Sequence, residues 1–144
     1  MILISHRGNL NGKKVERENS TEYIDKAIEK GYFVEIDVWY KNDDFYLGHD
    51  DPKDKISLSW LKERNHMLVI HCKNVEALLL LRHDFKCFAH DGDDFVLMSN
   101  CFWIWTYPGQ QLTEDSIAVL PEYVSNWDIK NCLGICSDYI ERYK

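Results

Sequence analysis

Phe33-Val34-Glu35-Ile36-Asp37-Val38-Trp39-Tyr40 is the stretch that decides the fold. Its β-branched and aromatic residues mark a strand, and alternation sets Glu35 and Asp37 on one face and Val34, Ile36 and Val38 on the other. If the strand is half-exposed, the two acids face water. If both of its faces are covered, they must pair, protonate or bind a cation. The surrounding elements decide which.

Upstream, Met1 to Ser5 reads as a strand. Thr21 to Lys30 reads as a helix, with Tyr23, Ile24, Ala27 and Ile28 at helical spacing. Asn19 with Glu22 resembles a capping box, and Gly31 suits the position just past a helix end. Downstream, Asn42-Asp43-Asp44 reads as a turn, and Phe45 to Leu47 as a short strand returning His49 towards the end that carries the acids. Ser57 to Asn65 reads as a helix, Met67 to Cys72 as a strand, and Asn74 to Arg82 as a Leu-rich helix capped by Asn74. This alternation predicts an α/β chain with a mainly parallel sheet. Beyond residue 83 the apolar runs are Lys86 to Ala89, Phe95 to Met98, Phe102 to Trp105, Ile117 to Leu120 and Leu133 to Cys136, and eight strands can be counted if these, the first extended back to His83, are strands four to eight. They leave little room for long helices, so short helices, single turns or bare loops are expected between them.

Composition narrows the class. The 144 residues are 45% hydrophobic and 28% charged, without a repeat or linker, which fits one domain over 1–144. No apolar run approaches the roughly 20 residues of a membrane span, and Met1 to Ile4 is too short for a signal peptide, so a cytoplasmic protein is expected. The net charge of −7 disfavours a nucleic-acid partner but leaves room for a small phosphate ester held by a metal and a few cations. Cys72, Cys87, Cys101, Cys132 and Cys136 include no CxxC pair and read as buried reduced thiols rather than zinc ligands.

Several pieces carry chemistry. Ser5-His6-Arg7-Gly8 closes the first strand and puts an imidazole and a guanidinium where strand becomes loop; alone, such a pair is more often a surface feature than a catalyst. Glu35 and Asp37, at i and i+2 on a rigid strand, offer oxygens to a hard divalent cation while leaving positions for water and a substrate oxygen. His49 could reach the same end as His6. Two histidines flanking a phosphorus atom can divide the labour, one taking the nucleophile's proton and one protonating the leaving alkoxide. His71 and Lys73 share a face near the end of the third strand, where Lys73 would neutralise a phosphate oxygen. Phe102, Trp103, Trp105 and Tyr107, with Pro108-Gly109, could line a substrate pocket as stacking walls but read first as a core strand entering a turn; Trp105 would lie nearest a substrate if its face is the interior. The five tryptophans and eight tyrosines are expected mostly in the core, or else covering bare sheet or a homodimer contact.

In order, these residues resemble the glycerophosphodiester phosphodiesterase family, itself similar to phosphatidylinositol-specific phospholipases and sphingomyelinase D enzymes. The resemblance rests on His6-Arg7-Gly8, Glu18-Asn19-Ser20, Glu35-Ile36-Asp37 and Gly48-His49-Asp50, with looser matches at Lys73, Trp105-Thr106 and Ser137-Asp138. It implies a TIM-type (β/α)8 barrel, shortened here because such barrels typically take about 250 residues, with helices reduced or missing in the second half. It also implies a site at the C-terminal strand ends. There His6 and His49 would be general acid and base, Glu35 and Asp37 metal ligands, Arg7 and Lys73 phosphate contacts, and Glu18 and Asn19 braces for the Arg7 loop. The family's third metal ligand is a glutamate where this chain has His71. Imidazole suits Mn²⁺ or Zn²⁺ better than the Mg²⁺ or Ca²⁺ the family otherwise implies; the alternatives are a substitute acid, Asp91 or Asp138, or weaker binding. The implied activity is metal-dependent hydrolysis of a small glycerophosphodiester. The alternative is a protein that binds a phosphorylated metabolite or a partner without turnover.

Overall fold

The computed structural model describes residues 1–144. In chain order its first half comprises β1 (Ile2–His6), α1 (Thr21–Glu29), β2 (Phe33–Lys41), β3 (Asp44–Leu47), β4 (Asp54–Ile56), α2 (Leu58–Arg64), β5 (Leu68–Cys72) and α3 (Val75–Leu81). The second half comprises β6 (Cys87–Phe88), β7 (Phe95–Leu97), β8 (Ile104–Thr106), β9 (Ser116–Val119) and β10 (Gly134–Ser137). Short 3-10 turns occupy Asn65–Met67, Pro121–Tyr123 and Ile140–Tyr143.

All ten strands share one sheet. Parallel ladders run in the order β6-β5-β2-β1-β10-β9-β8. The hairpin strands β3 and β4 extend antiparallel from the far half of β2, and β7 folds back antiparallel on β8.

The expected (β/α)8 barrel, even in shortened form, does not occur. A mixed ten-stranded sheet curls into a half-barrel, and only three short helices lie against it. The run expected as the fifth parallel strand is β7, and it is antiparallel. Residues 98–103 between β7 and β8 are too few for the crossover of about a dozen residues that parallel pairing needs, so the chain can only turn back. The later crossovers hold loops or a 3-10 turn, as the short gaps between apolar runs suggest. β4 escapes sequence reading because Asp54-Lys55-Ile56 contains one apolar residue.

Cap chemistry explains where the helices start. Ser20, not Asn19, caps α1: its Oγ accepts the Tyr23 N–H at 3.3 Å. Asn19 is thereby left free for another task. Ser57 and Asn74 cap α2 and α3 in the same way, at 3.0 and 3.2 Å.

The sheet carries apolar side chains on both faces. On the outer face Val34, Ile36, Val38, Leu68 and Ile70 pack with Ile24, Ala27, Leu61, Ala77 and Leu81 of the helices. On the concave face Ile4, Val69, Phe88, Met98, Trp105, Ile117, Val119 and Cys136 form a second, smaller core. β2 is therefore covered on both sides. Of the tryptophans and tyrosines only Trp105, Tyr23 and Tyr32 are fully buried. The other four tryptophans are half-buried; Trp60, Trp103 and Trp127, with Tyr40, Tyr107 and Tyr143, pack against the two cores from their margins, so most of these rings contribute to the core as expected. Four cysteines are buried, Cys101 is half-buried, and all five are free thiols. No helix is long and apolar enough to cross a membrane.

Candidate functional site

Register assembles the site. Parallel pairing sets His6 beside Glu35 and Asp37 beside His71, so neighbouring strands present these four side chains at one end of the concave face. Ser137 pairs with Ser5, which brings Asp138, just past β10, next to His6.

Glu35 and Asp37 are 2% and 0% exposed. Asn19 holds Asp37 twice: its Nδ2 donates to Oδ2 at 2.9 Å, and its Oδ1 accepts the Asp37 backbone N–H at 2.9 Å. Arg7 Nε lies 3.0 Å from the same Oδ2, though its N–H is not aimed along a hydrogen bond. Glu18 braces Arg7 from behind, Oε2 accepting from Nη1 at 3.3 Å. Arg7 and Asn19 both adopt left-handed backbone conformations, φ 55° and 59°, and the Asn19 N–H donates to Arg7 O at 3.1 Å. Backbone strain held by such surroundings concentrates at functional sites.

One oxygen of each acid, Glu35 Oε2 and Asp37 Oδ1, is buried without a hydrogen-bond partner. His71 Nδ1 stands 3.1 Å from Asp37 Oδ1 without making a directed hydrogen bond to it. Glu35, Asp37 and His71 each offer a ligand atom within 4.8 Å of the others. Orphaned buried oxygens are costly, and a cation among these three atoms would satisfy them. The donor set fits a divalent ion. Neither Asp91 nor Asp138 converges on it; Asp91 is an exposed loop residue.

Asp138 has a different task. Its Oδ1 lies 2.7 Å from His6 Nδ1 and accepts from Asn9 Nδ2 at 2.8 Å, while its Oδ2 accepts from Tyr123 Oη at 2.9 Å. Burial pulls the His6 pKa down, but the Asp138 contact and the charge of Glu35, whose Oε2 is 3.8 Å from His6 Nε2, outweigh it and raise it. Burial, reinforced by the charge of Asp37, pushes Glu35 up to about 7. Asp37 moves the other way: burial opposes its ionisation, but His71, Arg7 and Asn19 together hold it well below the usual carboxylate range. Burial lowers the His71 pKa and keeps its lone pair available.

His6, Arg7, Glu35, His49, His71 and Lys73 line one cavity of about 480 Å³. His49 reaches it from the loop after β3. There Trp39 Nε1 donates to Gly48 O at 2.6 Å, and Asp50 Oδ1 lies 2.8 Å from His49 Nδ1. Lys73 Nζ is 3.9 Å from Asp37 Oδ1. Trp105 forms part of the cavity wall, its ring tilted 30° against Phe88 with ring centres 4.8 Å apart.

The chain matches no family model, no curated protein and no solved structure. The site must be read from its own geometry. Of the site residues read from sequence, all but Asp37, Glu18 and Asn19 line this cavity; those three stand behind Arg7, while Phe102 and Trp103 of the aromatic run lie outside the lining. Sequence reading missed Asn9, His90 and Tyr123, whereas Tyr107 of the late aromatic run does line the cavity. His90 follows β6 by two residues and so shares the face of Phe88, a weak periodic signal. Asn9 and Tyr123 lie in a loop and a 3-10 turn, where no periodicity reports direction.

Proposed function

We propose that this protein is a metal-dependent hydrolase of a small phosphodiester, of glycerophosphodiester type, and a divergent relative of the glycerophosphodiester phosphodiesterases. One observation carries the reading: two imidazoles, two cations and a buried acid–imidazole cluster meet around a cavity of about 480 Å³. A divalent ion bound by Glu35, Asp37 and His71 would supply positive charge to the phosphate oxygens. Arg7 presents its guanidinium and Lys73 its ammonium to the same group, fixing its orientation. His6, with its raised pKa and its ring held by Asp138, keeps a proton for the leaving alkoxide. His49 takes the proton of the attacking hydroxyl or water. Hydrolysis of glycerophosphocholine and of a chromogenic phosphodiester, measured with Mg²⁺, Ca²⁺, Mn²⁺ and Zn²⁺ in turn, tests the reading. His6→Ala should cost about 10²- to 10⁴-fold in kcat; activity indifferent to that change removes the acid–base role.

A second reading is a binder without turnover. Arg7 and Lys73 already lie against Asp37, at 3.0 and 3.9 Å, and so partly neutralise the acid that would hold the ion. Calorimetry with a phosphate ester then shows binding while no product accumulates.

A further inference from the structure

His90 is the one imidazole in the cavity that the proposed chemistry leaves without a task. Four rings form a ladder across the cavity wall. Phe88 stacks on His71 with centroids 4.9 Å apart and planes 9° apart, His71 faces His90 at 5.2 Å, and His90 lies 4.2 Å from Tyr107. The first contact fixes the His71 ring, with Nδ1 towards Asp37. The last two hold His90 beside it. His90 Nδ1 is buried with no hydrogen-bond partner, so an imidazole nitrogen has been taken from water without compensation.

Two imidazoles that bind one ion through nitrogens at about 2.1 Å have ring centres roughly 5 Å apart. The observed 5.2 Å fits that spacing. His90 stands outside the tight Glu35–Asp37–His71 group, so it must shift to join it. It lies two residues beyond β6, in the short loop that contains Gly92.

We propose that His90 completes the metal centre as a fourth protein donor, making it a two-carboxylate, two-imidazole site for Zn²⁺ or Mn²⁺ in preference to Mg²⁺ or Ca²⁺. The inference rests on the reading that Glu35, Asp37 and His71 hold a cation. Two carboxylates cancel the charge of a divalent ion, and two nitrogens replace the oxygens that Mg²⁺ and Ca²⁺ prefer. Arg7 and Lys73 are then left to meet the anionic substrate.

Metal affinity measured by calorimetry on the full chain, with no substrate present, tests this. The wild type should bind Zn²⁺ and Mn²⁺ at least tenfold more tightly than Mg²⁺ and Ca²⁺. His90→Ala and the gentler His90→Gln should each weaken Zn²⁺ about tenfold or more. In Co²⁺-loaded protein the visible absorption bands should shift in both His90 variants. His66→Ala with His83→Ala, which removes a surface histidine pair lining another groove, should change none of this. If the wild type binds metal but both His90 variants bind Zn²⁺ as it does, or if Mg²⁺ and Ca²⁺ bind as well as Zn²⁺, the inference is overturned and the reading beneath it stands. Absence of binding by any of the four ions overturns both.

Discussion

At the scale of single residues, the His6–Asp138 contact makes the sharpest claim. A carboxylate 2.7 Å from Nδ1 fixes the ring and its tautomer and leaves Nε2 turned towards Glu35 and the cavity. Asp138→Asn keeps the shape and removes the charge. It should lower kcat at least tenfold with little change in KM, and it should shift the His6-dependent limb of the pH–rate profile downward. A purely structural role would leave that limb in place. Glu35 gives a second prediction. Its pKa rises from an ordinary 4.5 to about 7, so between those values the folded chain holds a proton that the unfolded chain has released. Stability must then fall as pH rises through that window. His6, also raised, acts in the same direction: its contribution is present below its ordinary 6.5 and lost as pH climbs through the folded value. Thermal melts from pH 4.5 to 8 in chelator should show the decline, and Glu35→Gln should flatten most of it. His6 and His49 are legible in sequence because one closes a strand and the other follows a turn glycine, and Glu35 and Asp37 because alternation puts two acids on one face of an otherwise apolar strand. The partner of His6 is not legible as such, because Asp138 reaches it from 132 residues away through the β1–β10 ladder.

Elements position these residues, and two positions carry most of that burden. Gly48 has φ 152°, and a Cβ there would fall 2.0 Å from Asp51 O, a backbone atom that cannot step aside. Gly48→Ala should therefore displace the His49 loop while the sheet persists. Activity should fall as in a His49 variant, with a stability loss of about 1–3 kcal/mol by thermal melt. Asn74 is the other. Its Oδ1 accepts from Ala77 N at 3.2 Å and Tyr40 N at 3.1 Å, and its Nδ2 donates to Tyr40 O at 2.7 Å, so one side chain caps α3 and ties it to the end of β2. Asn74→Ala should cost about 1–2 kcal/mol, with loss of metal affinity no greater than global unfolding explains. Periodicity and cap signals locate the three helices to within a residue or two. They misassign the cap of α1, because Asn19 and Ser20 are both good cap residues and only tertiary structure shows that Asn19 is engaged by Asp37.

The whole molecule is where sequence reading fails, and length is the reason. Segments able to hold a helix follow β1, β4 and β5, while the later connections are too short, so strand order could be guessed but not the direction of β7 or the opening of the sheet. That opening has a physical consequence. β7 ends the sheet path, and its Phe95 and Leu97 are 65% and 62% exposed, with Phe102 beyond the turn at 77%. An apolar terminal strand with unpaired backbone is a template for edge-to-edge association. Sedimentation velocity over increasing concentration should show reversible self-association, strengthened by salt because burial of apolar surface rather than ion pairing drives it. Phe95→Lys with Leu97→Lys charges the edge without touching the cavity. The double variant should sediment as a monomer at every concentration while Zn²⁺ affinity and phosphodiesterase activity stay at wild-type level. Loss of either function along with association would mean instead that the edge contact helps to shape the site, through the β8 strand that carries Trp105 into its wall.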